Sequence, residues 1–111
     1  RGVQGVGSYS ASKGGLVSLT KTIAVENGPL VRCNAIAPGG VTNKVKINPD
    51  GKGATGPFGI DSGKHLAHMP LGRFADPEDL VGTYLFLAGP ASIYITGQVI
   101  HLSGGLVTPS P

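Results

Sequence analysis

The chain has 111 residues, 40% of them hydrophobic, with 19 glycines, 9 prolines and a formal charge of +3, a composition that fits one globular domain with a modest core. Its 9 basic residues are scattered and only 5% of its residues are aromatic, which argues against a nucleic-acid interface built from a dense basic patch or stacking rings. Cys33 is the only cysteine, so no internal disulfide forms, and no apolar run has membrane-spanning length.

In chain order, Ser8 is a suitable N-cap for a helix that begins at Tyr9. Leu16, Leu19 and Ile23 recur at i, i+3 and i+7 and supply one apolar face. Asn27-Gly28-Pro29 stops this helix. Leu30 to Ala37 then predicts a short strand with apolar or small residues on both faces, as inside a parallel sheet. Cys33 within it reads as a small buried hydrophobe. A helix leading into a parallel strand fits a right-handed crossover unit.

Thr42 to Met69 is the least regular part, with turn signals at Asn48-Pro49-Asp50-Gly51 and Gly56-Pro57 and a helical turn expected around Ser62 to His68. Loops of this length in a compact domain are usually functional lids or disordered. His65 and His68 can share a helical face, but no third ligand follows at metal-site spacing, so they read as a surface or lid pair and no metal site is expected. Asp76 suits an N-cap, Pro77 the first helical position, and Glu78 and Asp79 the positive end of the helix dipole. Leu80, Val81, Tyr84, Leu85 and Ala88 form the expected buried stripe, and Gly89-Pro90 ends the helix. Val99 to Leu102 predicts the last strand, with His101 structural.

The chemistry concentrates in Tyr9-Ser10-Ala11-Ser12-Lys13. Residues four apart lie on one helical face, so the Lys13 ammonium can sit beside the Tyr9 phenol. A free phenol is a poor base at neutral pH, and a neighbouring cation favours its ionised form. A tyrosine so placed can move a proton to or from an alcohol or carbonyl oxygen. Alone, the spacing most often marks a solvated surface pair, so the flanking segments decide.

Those segments are Tyr9 to Leu16, then Val31-Arg32-Cys33-Asn34-Ala35-Ile36-Ala37-Pro38-Gly39-Gly40-Val41, then Pro70-Leu71-Gly72-Arg73-Phe74 with Pro77-Glu78-Asp79-Leu80-Val81, and finally Thr96-Gly97-Gln98-Val99-Ile100 with Ser103-Gly104-Gly105. In this order the chain resembles the C-terminal part of the short-chain dehydrogenase/reductase family over nearly its whole length. The resemblance implies an α/β fold, the C-terminal part of a Rossmann-like doubly wound parallel sheet. Residues 1–111 would be the catalytic and substrate-binding part of a single NAD(P)-binding domain.

The same resemblance implies that Tyr9 and Lys13 are the catalytic pair and that both also contact the cofactor, Lys13 by binding the nicotinamide ribose. It places Pro38, Gly39 and the main chain of Val41 against the nicotinamide carboxamide, with Asn43 where the family often has threonine. An amide can still donate and accept hydrogen bonds there. The chain departs from the pattern at Ser103, where an aspartate commonly precedes the paired glycines, and at Asn27-Gly28-Pro29, a turn one residue short. The family's glycine-rich cofactor unit, its catalytic serine and an asparagine of the preceding helix fall upstream of Arg1. Residues 1–111 alone are therefore expected to be an inactive fragment.

The implied parent activity is NAD- or NADP-dependent hydride transfer between a nicotinamide and a secondary alcohol or ketone. The polar, glycine-rich segment from Lys44 to Met69, with the His68-Met69-Pro70-Leu71-Gly72-Arg73 run, resembles family members acting on sugar acids or polyols, with a 3-oxoacyl-carrier-protein reductase as the alternative. A non-catalytic piece that folds only with partner chains is the competing class. Expected partners are a small alcohol or ketone and further copies in a homotetramer or homodimer, with no nucleic acid or membrane, in the cytoplasm.

Overall fold

The computed structural model describes residues 5–42 and 66–106. They form helix α1 (Gly7–Asn27), strand β1 (Ala35–Pro38), helix α2 (Glu78–Ala88), a 3-10 turn (Pro90–Ser92) and strand β2 (Val99–Leu102). The described residues fall into two compact units, those within Arg1–Ala37 and Val81–Ile100 and those within Pro38–Leu80 and His101–Pro111. β1 and β2 pair in a two-stranded sheet. Ala35 N–H donates to Gln98 O at 2.9 Å in the first unit and Gly39 N–H to Leu102 O at 3.0 Å in the second. Both partners advance in the same direction, so the pairing is parallel and the chain is α/β.

α1 starts two residues before the expected Tyr9. Its N-cap is Val6, with no side-chain cap, so Ser8 lies inside the first turn and does not cap the helix. Ser10 N–H already donates to Val6 O at 2.8 Å, which closes the turn two residues earlier than a Ser8 cap would. Thr20 and Ala24 are the buried residues of α1, with Val17 and Ile23 half-buried beside them. Leu16 and Leu19, expected on the packed face, are about half exposed. The small Ala24 lets the chain approach closely: a Cβ on Gly97 would lie 3.5 Å from the Ala24 Cβ.

The strand expected from Leu30 is shorter, because Val31 to Asn34 are held by turn-like contacts instead of a ladder. Leu30 and Val31 N–H both donate to Asn27 O. Cys33, half-buried rather than buried, donates its N–H to Thr96 Oγ1 at 3.1 Å and accepts from Gly97 N–H at 2.7 Å. Asn34 clamps the start of β2, donating to Ile95 O at 2.9 Å and accepting from Gln98 N–H at 3.1 Å. β2 occupies the predicted Val99 to Leu102. Of the turn expected around Ser62 to His68, Leu66 and Ala67 are helical, and Ser62 to His65 lie outside the described residues.

α2 carries its acidic first turn as predicted. The predicted stripe is not buried: Val81, Tyr84 and Leu85 are exposed, Tyr84 by 56% and Leu85 by 68%, and Ala88 is also exposed. Half-buried positions on α2 are Leu80, Thr83 and Leu87. Apolar periodicity marks a face that can be covered, but only residues in reach of a packed neighbour lose their solvent. No described helix is long and apolar enough to cross a membrane.

Candidate functional site

α1 places Tyr9 in its first turn and Lys13 one turn on, so the side chains share a face. Lys13 Nζ lies 5.6 Å from the centroid of the Tyr9 ring. That is within about 6 Å, the range in which an ammonium is attracted to a ring face. Tyr9 is 49% exposed. Ser12 Oγ donates to Tyr9 O at 2.8 Å and so reinforces the backbone of this turn.

Pro38, Gly39 and Val41 come together in the second unit, where β1 ends. A Cβ on Gly39 would sit 3.0 Å from Ser103 Cα, so a side chain there would require the Ser103 backbone to give slightly. On Gly40 a Cβ would overlap the Phe74 ring. Val41 and Ala75 form a parallel bridge: Ala75 N–H donates to Gly40 O at 2.9 Å and Thr42 N–H donates to Ala75 O at 2.8 Å. In this pattern the groups of Gly40 and Thr42 turn toward Ala75, and the N–H and C=O of Val41 turn away. Among the described residues no hydrogen bond reaches either Val41 group. Asn43 and His65 lie outside the described residues, and His68 is exposed.

An ion pair that sequence spacing does not announce borders this turn. Arg73 grips Asp79 with both guanidinium nitrogens, Nη1 to Oδ2 at 2.6 Å and Nη2 to Oδ1 at 3.1 Å. Asp79 Oδ2 also accepts from Asp76 N–H at 2.8 Å, half of a capping box at the start of α2. The Arg73 bond and then the Asp76 N–H hold the Asp79 carboxyl down from 3.8 to about 2. The hydrogen bond to Asp79 likewise raises Arg73. Asp76, predicted as the cap, uses its side chain elsewhere: Oδ1 accepts from Thr42 Oγ1 at 2.8 Å. A cavity of about 440 Å³ in this unit is lined by the ion pair, Met69, Leu71 and His101, so His101 faces open space on β2. The one legible hint was the acidic run before Leu80. Nothing local pointed to Arg73 or Thr42 as its partners.

A family model described as Enoyl-(Acyl carrier protein) reductase matches residues 1–107. The chain belongs to the short-chain dehydrogenase/reductase family. The 3-oxoacyl-[acyl-carrier-protein] reductase of Thermotoga maritima is 42% identical over 108 residues, covering 96% of this chain and 40% of that enzyme. A crystal structure of a short-chain type dehydrogenase/reductase from Mycobacterium marinum is 36% identical with a TM-score of 0.73, covering 91% of this chain and 37% of that one. A 7α-hydroxysteroid dehydrogenase, solved with NADH and 7-oxo glycochenodeoxycholic acid, is 30% identical with a TM-score of 0.76, covering 95% of this chain and 39% of its own. The Rossmann-like fold of the family is thus the fold to which β1, β2 and their helices belong. The chain spans about two fifths of the length of the curated relatives it matches.

Proposed function

We propose that residues 1–111 supply the catalytic and substrate-binding part of an NAD(P)-dependent short-chain dehydrogenase/reductase acting on a secondary alcohol or ketone. The observation that carries this reading is the Tyr9/Lys13 pair at the start of α1, with its 5.6 Å ring-to-ammonium separation. When bound, a nicotinamide would supply or accept the hydride. Reduction of a ketone then needs one proton at the carbonyl oxygen, and the Tyr9 hydroxyl can donate it. Oxidation of the alcohol reverses that transfer. The Lys13 ammonium offsets the charge left on the phenol oxygen and can donate to ribose hydroxyls.

The turn after β1 fits the nicotinamide carboxamide, which has one acceptor and a donor pair. The outward N–H and C=O of Val41 complement both, and among the described residues nothing else takes them. Gly39 and Gly40 leave that edge without side chains. Asn43, next in the chain, is assigned to the same contact on the family resemblance.

Two substrate readings remain inside this class. The names of the curated relatives favour a 3-oxoacyl group on a carrier protein. The resemblance of the segment from Lys44 to Met69, with the run that ends at Arg73, to members acting on sugar acids favours a polyol or sugar acid. A homotetramer or homodimer is supported by the exposed apolar side chains of Val81, Tyr84 and Leu85 on α2. Light scattering at micromolar concentration tests it, and a monomer alone would contradict it.

The activity is tested by joining these residues to the part of the Thermotoga maritima relative that precedes the matched region. NADH and NADPH consumption is then followed with 3-oxoacyl thioesters and with keto sugars. Turnover by the joined protein, with none by residues 1–111 alone, is expected. A folded joined protein inert toward every ketone would overturn the reading.

A further inference from the structure

We propose that Asp79 is a positioning residue for the backbone of Gly40 to Thr42, the edge that the proposed function assigns to the nicotinamide. The proposal rests on that reading for its ligand, while its structural core stands on the described geometry alone.

The connection is continuous and lies within one compact unit. Asp79 holds two groups of the segment before α2 at once, the Arg73 guanidinium at 2.6 and 3.1 Å and the Asp76 N–H at 2.8 Å. Arg73 Nη1 in turn donates to Phe74 O at 3.1 Å. Among the described residues, Phe74, Ala75 and Asp76 supply the hydrogen bonds and the ring contact that reach Gly40 and Thr42. Phe74 lays its ring on Gly40, Ala75 takes the two ladder bonds at 2.9 and 2.8 Å, and Asp76 Oδ1 accepts from Thr42 Oγ1 at 2.8 Å. Val41 itself has no bond to this segment, so its outward N–H and C=O are aimed only by its neighbours. A carboxylate that fixes both ends of the 74–76 segment therefore sets where the Val41 main chain points. A fork-shaped carboxylate–guanidinium contact is suited to this because it fixes orientation as well as distance.

The test compares wild type with Asp79→Ala and Asp79→Asn in the full chain, using amide hydrogen exchange and titration with reduced nicotinamide mononucleotide. That probe carries only the nicotinamide end of the cofactor. Loss of Asp79 is expected to speed exchange at Thr42 and Ala75 by about tenfold or more, while Ala35 and Gly39, bonded to β2, keep their protection. The shift of the Val41 amide on titration is expected to weaken in step, with Asp79→Asn intermediate because its amide oxygen still reaches Asp76 N–H. Equal loss of protection at all four amides would mean general destabilisation and would overturn the proposal, as would unchanged exchange. Wild-type binding that survives Asp79→Ala undiminished also overturns it and leaves the proposed function standing. A wild-type chain that shows the local exchange pattern but takes up no probe, alone or joined to the relative's preceding part, removes the nicotinamide reading instead.

Discussion

Arg32 and Ser92, 60 residues apart, are joined by two bonds from one nitrogen: Nη1 donates to Ser92 O at 2.9 Å and to Ser92 Oγ at 3.1 Å. Ser92 is 1% exposed. The same guanidinium donates to Ile95 O and also to Leu87 O and Gly89 O, carbonyls that the end of α2 leaves without helical partners. Ser92 Oγ adds its own bond to Phe86 O at 2.7 Å. Lysine cannot serve these directions, because its donors radiate from one atom instead of a planar fork. Arg32→Lys is expected to lower stability by about 2 kcal/mol and Ser92→Ala by about 1 kcal/mol. Urea midpoints at unchanged slope measure both, and a fully stable Arg32→Lys chain would contradict this account of the α2 terminus.

The Arg73–Asp79 pair predicts an acid-side dependence. Asp79 titrates at about 2 in the fold against an ordinary 3.8, held down by Arg73 and by Asp76 N–H. A carboxyl with a depressed folded value contributes stability that is fully present above the ordinary value and lost as pH falls through the folded one. Stability is therefore expected to decline between roughly pH 4 and pH 2 and to be level above that window, as far as this group is concerned. Asp79→Asn is expected to remove this part of the slope. Both residues are partly open to solvent, so added salt should shrink the effect. Denaturant titrations at several pH values decide it, and identical slopes for wild type and Asp79→Asn would exclude the linkage.

Local chemistry was legible in the sequence, and long-range partnership was not. The Asp76-Pro77-Glu78-Asp79 run marked the start of α2 because capping is decided within four residues. Val99 to Leu102 was readable as a short apolar run between glycines. The start of β1 was not, because its length is set by where Gln98 and Leu102 lie, and Val31 to Asn34 instead meet turn and side-chain contacts. Helical periodicity showed which sides of α1 and α2 are apolar, but Leu16, Leu19, Tyr84 and Leu85 are exposed because periodicity says nothing about what stands opposite. At the candidate site, the shared helical face of Tyr9 and Lys13 followed from their i, i+4 spacing. The Thr42–Asp76 contact, 34 residues apart, follows only from the path of the chain.

Gly40 offers a steric test of the same edge. A Cβ there would overlap the Phe74 ring, which must shift to admit it. Gly40→Ala is expected to cost about 1–3 kcal/mol, the usual range for overpacking. Phe74→Leu should recover part of that loss in the double variant, since the two residues share one contact and their effects are not additive. Thermal or urea unfolding of the four proteins closes the cycle. Strict additivity would show that the contact does not constrain the turn.

The final prediction separates the roles of Tyr9 and Lys13, measured in the protein joined to its relative's preceding part. Removing only the phenol oxygen in Tyr9→Phe deletes the group that moves the proton while keeping the ring beneath the Lys13 ammonium. Turnover is expected to fall by about 10²–10⁴, the usual loss for a general acid–base group, with the far-ultraviolet spectrum unchanged. Cofactor affinity should change little in that variant, because the ring and the Val41 edge are intact. Lys13→Met removes the ammonium from the same helical face and should lower both turnover and cofactor affinity, because the lysine is assigned to the phenol and to the ribose. The two variants therefore differ in cofactor binding more than in rate. Near-normal turnover in Tyr9→Phe would remove Tyr9 as the proton donor, and equal cofactor affinity in both variants would remove Lys13 from the ribose.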